Sequence, residues 1–371
     1  MEHTPEHTRI LVSGGGIAGL ALAYWLRRYG FRPTVVERAA ALRGGGQAVD
    51  LRGAARDVAE RMGLMPDIRS AHTGTRGMAY VDRRGRRLAY MDTESFGDSG
   101  GAIADIEILR SDLVRILLAA AQDGVEYLFD DSITALTETP DGVEVGFERS
   151  APRVFDLVVG ADGTRSNVRR LAFGPDDGYV TDGGHYLGIF ATTTPYDLDG
   201  WQVMYAMPGR LAGLYPTGSE GDARAMLFFR SPPLDVDRRD LDAQRRVLAD
   251  AFAGQGWEVP RLIEAMWQAP DLYVDRAAKV TMDRWSSGRV VLLGDASFAG
   301  SVGMGTSMAL VGAYVLAGEL AVARDHRAAF TAYERALRDY VTACQKPLPG
   351  GERGFLPPTR LEIWLRIRCS A

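Results

Sequence analysis

The chain has 371 residues, 46% of them apolar, which is enough to bury two substantial cores and excludes a fibrous or disordered protein. A formal net charge of −5 argues against a general nucleic-acid binder, and the polar opening MEHTPEHT lacks the pattern of a secretory signal, so a frayed tail is expected there. The two cysteines, Cys344 and Cys369, are too few for a disulfide framework and too widely spaced for a cysteine-rich zinc site, which points to a reducing cytoplasm and to no bound metal.

The first predicted element is a short strand, Ile10-Leu11-Val12, followed by Gly14-x-Gly16-x-x-Gly19 and a helix over residues 17–29. Glycines at that spacing have separate uses. Gly14 permits a tight turn, Gly16 lets a pyrophosphate approach the backbone, and Gly19 lets helix and strand pack closely. The N–H groups at the helix start, from Ile17 and Ala18 onward, would face the anion. A second strand, Thr34–Val36, ends at Glu37 and Arg38, and a carboxylate at a strand end there suits an adenosine ribose with a free 2′-hydroxyl. The order strand, glycines, helix, strand, acid predicts a dinucleotide site, with FAD and NAD both open.

Residues 42–63 read as a glycine-rich loop entering a helix, and residues 77–104 as a hairpin turning at Arg84-Gly85. A helix follows in ILRSDLVRILLAAAQDG, with Ser111 as its expected cap and Gly124 as its end. Strands are then predicted around a Pro140-Asp141-Gly142 turn and in VFDLVVGADG. Residues 180–275 hold β-like runs at regular spacing and a helical stretch at 238–253. An α/β style returns with RVVLLGDA, a small-residue helix, the amphipathic FTAYERALRDYVTACQ and the terminal TRLEIWLRIRCSA. In that last segment Leu361, Ile363, Trp364 and Leu365 are expected to form interdomain core. Apolar runs near 113–121 and 305–323 are too short, or are interrupted by Gly312, Gly318 and Glu319, so no membrane span is expected. The alternation predicts a discontinuous α/β architecture. Residues 1–76, 105–178 and 276–371 form a Rossmann-like nucleotide-binding domain, residues 77–104 and 179–275 an inserted β-sheet domain, and a cleft between them suits a substrate.

Three motifs stand in order along the chain: the glycine set with Glu37, VVGADGTRSNVR around Asp162-Gly163, and RVVLLGDA around Gly294-Asp295. From about residue 8 onward the sequence resembles the flavoprotein aromatic hydroxylases. These are FAD-dependent single-component monooxygenases related to para-hydroxybenzoate hydroxylase and to the tetracycline-inactivating monooxygenases. The resemblance implies an FAD-binding Rossmann-like domain, an inserted β-sheet substrate domain and a C-terminal helix. It implies that Asp295 accepts a hydrogen bond from a ribityl hydroxyl, and that the helix after Gly303-Met304-Gly305 faces the flavin pyrimidine. Asp162-Gly163 would serve flavin and nicotinamide, Arg110 and Asp50 would contact FAD, and Arg43 would meet the nicotinamide cofactor. A loop closed by an acid and Arg165 or Arg169 is the plainer reading of Asp162. NADPH or NADH would be the transient reductant, dioxygen the co-substrate, and an aromatic or polyketide-like small molecule the substrate, hydroxylated through a flavin C4a-hydroperoxide.

Such chemistry is carried by the flavin, and no catalytic side chain is expected. On the inserted block His185 is a candidate for a phenolic substrate, with a structural role as the alternative, and Gln202, Tyr205 and Tyr215 are candidates for pocket lining or for packing. The sequence departs from the family after Asp295. Phe298 replaces a polar aromatic or imidazole, prolines are missing, and the 297–303 loop is about two residues short, so rigidity beside the flavin is lost. Two alternatives follow: a flavin oxidoreductase of the same fold that does not hydroxylate, and a non-catalytic FAD- or ligand-binding homologue.

Overall fold

The computed structural model describes residues 7–41, 46–92, 106–195, 197–219, 221–237, 240–300, 303–346 and 355–369. Ile10, Leu11 and Val12 are wholly buried because the strand Arg9–Ser13 has a sheet neighbour on each side and helices over its faces. It lies inside a six-stranded sheet whose order is Ser286–Ser287, Val290–Leu292, Leu157–Gly160, Arg9–Ser13, Arg32–Glu37 and Glu126–Phe129. All neighbours are parallel except the outermost Ser286–Ser287. The chain leaves Arg9–Ser13 in one direction to build Arg32–Glu37 and returns much later on the other side as Leu157–Gly160. The loops that follow these two central strands therefore part at a topological switch point, where α/β sheets open a crevice.

The helix Ile17–Arg28 packs on this sheet together with Gly305–Val322, which is apolar all round and serves as a core helix, its Met308, Leu310, Ala313 and Leu316 buried. His326–Cys344 covers it from outside with Phe330, Tyr333 and Leu337. The helix expected to start at Ser111 begins at Arg110, with the extended Leu109 in the capping position and no side-chain cap, so Ser111 lies in the first turn instead. A three-stranded antiparallel sheet, Ile133–Thr139, Gly142–Phe147 and Arg153–Phe155, stands at the side.

A second large sheet has seven strands in the order Tyr273–Val280, Val180–Thr193, Asp222–Arg230, Arg210–Pro216, Trp201–Met207, Gly77–Val81 and Arg87–Asp92. The early hairpin joins the late block through parallel pairing of Gly77–Val81 with Trp201–Met207. Residue 276, the expected point of return to the first domain, lies within the strand Tyr273–Val280. Because side chains alternate, the two faces differ. Val203, Tyr205, Leu214 and Leu227 pack against Leu248, Phe252, Leu262 and Met266, on and beside the helices Leu241–Ala251 and Val259–Gln268. Met204, Leu211, Met226 and Phe228 belong to the opposite face, where Phe355, Leu356 and Ile367 join them.

The helix Arg360–Cys369 corrects one expectation. Only Ile363 of the four apolar residues is buried, while Leu361, Trp364 and Leu365 are 65%, 49% and 47% exposed. The helix makes its contact through Ile367 and through Arg366, whose guanidinium lies over the Tyr80 ring, so most of its apolar side chains project away from the sheet.

Candidate active site

The first motif is a backbone device. Gly14 has φ +108°, and a Cβ there would lie 2.5 Å from the Ala161 carbonyl oxygen, so the turn brings the first motif against the second. A Cβ on Gly19 would lie 1.9 Å from the Gly14 carbonyl oxygen, which leaves no room for any other residue. The helix Ile17–Arg28 starts at Gly16 with no side-chain cap and no acid in its first turn, so the N–H groups of its first turn remain available to an anion. Glu37 joins the turn to the strand end: Oε2 accepts from the Gly15 N–H and Oε1 from the Ala39 N–H, each at 2.8 Å. Arg38 is exposed beside it. Arg43 lies outside the described residues.

Asp162 accepts hydrogen bonds from Ser166 Oγ at 2.5 Å and from the N–H groups of Asn167 at 2.8 Å and Val168 at 3.2 Å, at the start of the helix Asn167–Phe173, whose cap is Ser166. Burial pushes its carboxyl pKa up and these donors pull it back. Gly163 follows at φ +83° with open space around its Cβ position. The plainer reading of this loop is present too, through Arg169 rather than Arg165. The wholly buried Arg169 donates to Asp176, to the Thr164 carbonyl and to the Ala296 carbonyl at 2.9 Å, and so ties the second motif to the third.

Gly294 has φ +64°, and a Cβ there would lie 3.0 Å from the Ala18 Cβ, placing the third motif against the first helix. Asp295 opens the short helix Asp295–Phe298 and is solvent-accessible, yet closely surrounded by protein. That surrounding raises its carboxyl pKa, Arg110 opposes the shift and Asp275 adds to it. Arg110 stands between motifs: a Cβ on Gly16 would lie 3.6 Å from its Nη2, and its charge acts on Asp295, toward which Gly305 also packs, a Cβ there lying 3.9 Å from Asp295 Oδ1. Gly303 similarly approaches Asp50, whose carboxylate pairs with Arg52 at 2.7 Å. The Arg52 N–H donates to Ser307 Oγ at 3.0 Å, which fastens this segment to the start of the helix Gly305–Val322. Phe298 is 1% exposed and packs on Trp285, so its side chain belongs to the core and does not face the cleft. Residues 301 and 302 of the altered loop lie outside the described residues.

From the seven-stranded sheet, Tyr215 Oη accepts a hydrogen bond from the Ala48 N–H at 3.3 Å, and Gln202 Nε2 donates to both carboxyl oxygens of Glu107 at 3.1 and 3.0 Å. The ribbon formed by Ala48–Asp50 and Glu107–Leu109 is thus the seam between the sheet and the first domain. For Tyr205 the packing alternative holds: strand alternation sends it to the helix-covered face, against Trp257. His185 is on the cleft-side face but at its far end, beside Phe228 and Phe355, with Nδ1 2.7 Å from the Gly183 carbonyl oxygen. Sequence reasoning missed Glu107, Arg52, Asp275 and Tyr273, whose hydroxyl donates to Asp275 at 2.7 Å. The one legible signal for Glu107 was a lone acid inside the apolar run Ile106-Glu107-Ile108-Leu109.

These residues fit FAD. Two helices without side-chain caps or first-turn acids, Ile17–Arg28 and Gly305–Val322, bring their N-termini to the glycine set and to Asp295, with the Arg110 cation at both. A family profile described as "FAD binding domain" matches residues 7–345. The chain belongs to that FAD-binding family. It is 46% identical over 351 residues to the uncharacterized protein Rv1260 of Mycobacterium tuberculosis, covering 92% of this chain and 94% of that one. It is 37% identical over 344 residues to a flavin-dependent monooxygenase of Legionella longbeachae, covering 92% and 88%. The crystal structure of tetracycline destructase Tet(51) superimposes with a TM-score of 0.85 at 37% identity, covering 98% of this chain and 95% of the other. This FAD-binding chain is therefore a flavoprotein monooxygenase, and the resemblance read from its three motifs is borne out.

Proposed function

We propose that the protein uses NADPH or NADH and dioxygen to insert one oxygen atom into an aromatic or polyketide-like small molecule held between the two large sheets. The observation that carries this reading is the seam itself. The same face of the seven-stranded sheet that offers Gln202 and Tyr215 to the first domain continues as Met204, Leu211, Met226 and Phe228, on which Phe355, Leu356 and Ile367 of the C-terminal segment pack, so that a polar edge borders an apolar patch. The likeness to a tetracycline destructase supports a polycyclic, hydroxyl-bearing substrate class.

When bound, FAD supplies the oxygen-activating chemistry. The chain's own residues bind and orient. The N–H groups of Ile17 and Ala18, with Arg110, hold the pyrophosphate, and Glu37, whose oxygens keep a lone pair each, takes the adenosine ribose. Asp295 accepts from the ribityl chain, and the start of the helix after Gly303 and Gly305 turns its positive end to the pyrimidine ring. Asp50 and the turn at Asp162-Gly163 complete the flavin site. The apolar patch beside that edge, closed over by the C-terminal segment, would keep water from the reacting atoms.

The test is turnover of FAD-loaded protein with NADPH or NADH, oxygen and a panel of polycyclic phenols including tetracycline, read by product mass. A gain of one oxygen atom is expected. Oxidised product without added oxygen identifies the non-hydroxylating oxidoreductase. FAD retention with no product across the panel overturns the proposed substrate class.

A further inference from the structure

Glu107 is a buried carboxyl group that the flavin chemistry does not use. It is 4% exposed and sits opposite Asp50 in the two-stranded ribbon. Gln202, 8% exposed, reaches it from the seven-stranded sheet with two hydrogen bonds from one amide nitrogen. The groups that face Glu107 are Asp50 from its partner strand, Arg52 just beyond that strand, the Thr75 hydroxyl, Gln202, and Tyr215 from the neighbouring sheet strand. Among the described residues no group donates to Gln202 Oε1.

We propose that Glu107 is a positioning residue for the substrate: it holds the Gln202 carboxamide with its NH2 group turned inward, so that Gln202 offers only its carbonyl oxygen to a hydroxyl of the bound molecule. The proposal rests on the reading of this sheet face as the substrate face. Its logic is donor counting. An ionised carboxylate only accepts, so it demands the amide nitrogen and turns the amide oxygen away. A neutral carboxyl group also carries a proton that can be donated to Gln202 Oε1, so it tolerates either orientation of the amide. Burial, reinforced by Asp50 and opposed by Thr75, Gln202 and Arg52, lifts Glu107 to about 8, and the amide is therefore held more firmly as pH rises through that value. The recognised feature is a phenolic or enolic hydroxyl, because a ligand that only accepts would meet the amide oxygen lone pair to lone pair.

The experiment uses FAD-loaded protein and two probes, 1,8-dihydroxyanthraquinone and its dimethyl ether, with binding followed by fluorescence. Glu107→Gln removes the charge that fixes the amide while keeping the shape, and FAD content checks its folding. We expect this variant to weaken the dihydroxy probe about tenfold at about pH 9 and about twofold at about pH 6, with the dimethyl ether changed less than about twofold at either pH. Taking the ratio of variant to wild type cancels the probe's own titration. Equal losses for both probes, or a loss independent of pH, overturns the proposal. Binding of neither probe by wild type overturns the substrate-face reading, and with it the substrate half of the proposal. The Glu107–Gln202 half is then decided by infrared spectroscopy. The carbonyl stretch of a protonated carboxyl group should disappear as pH rises through about 8, be absent in Glu107→Gln, and titrate at higher pH in Gln202→Leu, which loses two donors to the charged form. An unmoved midpoint in Gln202→Leu overturns that half as well.

Discussion

At the glycine end of the cleft the functional groups are backbone atoms, and the side chains that matter are absent ones: a methyl group on Gly14 or Gly19 would sit within 2.5 Å of a carbonyl oxygen. At the sheet end the groups proposed to meet the substrate are side chains, Gln202 and Tyr215 with Glu107 behind them, each brought from a different segment and each buried. The first end depends on local spacing and on the fit of one helix to one strand. The second depends on strand alternation and on pairing between residues 95 positions apart. A site can therefore be rigid by steric exclusion at one end and tunable by protonation at the other, within a single cleft.

The sharpest way to break that contrast is Gly19→Ala, which should cost above about 4 kcal/mol and abolish flavin binding, because the new methyl group meets backbone and cannot be relieved by a side-chain rotation. Flavin absorbance of the purified protein checks this, and a yellow, stable variant would refute the steric account. The sheet end should instead answer to pH. Glu107 is raised in the folded state from 4.5 to about 8, so folding favours its protonated form. Stability is unaffected below about pH 4.5 and declines as pH rises toward 8, by up to about 4 kcal/mol from this group. Denaturant unfolding at several pH values should show that decline in wild type and a flatter profile in Glu107→Gln.

Asp295→Ala probes the join between the two ends. It should weaken FAD retention about 10- to 100-fold, the worth of a hydrogen bond to a charged group, with little change in thermal midpoint, since the side chain is solvent-accessible. Equilibrium dialysis of FAD with a parallel melting curve separates the two effects. Tyr215→Phe removes a single hydrogen bond to the Ala48 N–H and should cost about 1 kcal/mol in unfolding free energy. The smallest expected effect is a few-fold rise in the nicotinamide KM for Arg43→Ala with FAD content unchanged, measured by steady-state kinetics.

The contrast also explains what the sequence makes legible. Gly14 and Gly19 could be found because strict backbone geometry restricts which residues fit there, and that restriction leaves a spacing in one dimension, whereas Asp162 and Asp295 were reached only through the family resemblance of the motifs around them. For Tyr205 the choice between packing and pocket lining could not be read locally, because Gln202 and Tyr205 lie on one strand and only the register of that strand against its neighbours decides which of them faces the cleft. Glu107 went unread because its partner, Gln202, lies on a strand that no local pattern connects to it. Leu361, Trp364 and Leu365 were assigned to the core on hydrophobicity alone, although the helix that bears them touches the sheet through a different edge.

The position of the strand Val290–Leu292 beside Leu157–Gly160 has a consequence for how the protein is made. Synthesis delivers the glycine turn first and Asp162 next, but the carboxylate at 295 is carried by a strand that pairs only after some 130 further residues, including most of the inserted sheet, have left the ribosome. A nascent chain halted near residue 280 holds the glycine turn without Asp295, the acid proposed for the ribityl chain. If Asp295 holds the ribityl chain as proposed, flavin capture is a late event in biosynthesis. Until it occurs, the central sheet lacks its two outermost strands on that side and exposes Leu157–Gly160 as an open edge, the interval in which the chain most needs protection from aggregation.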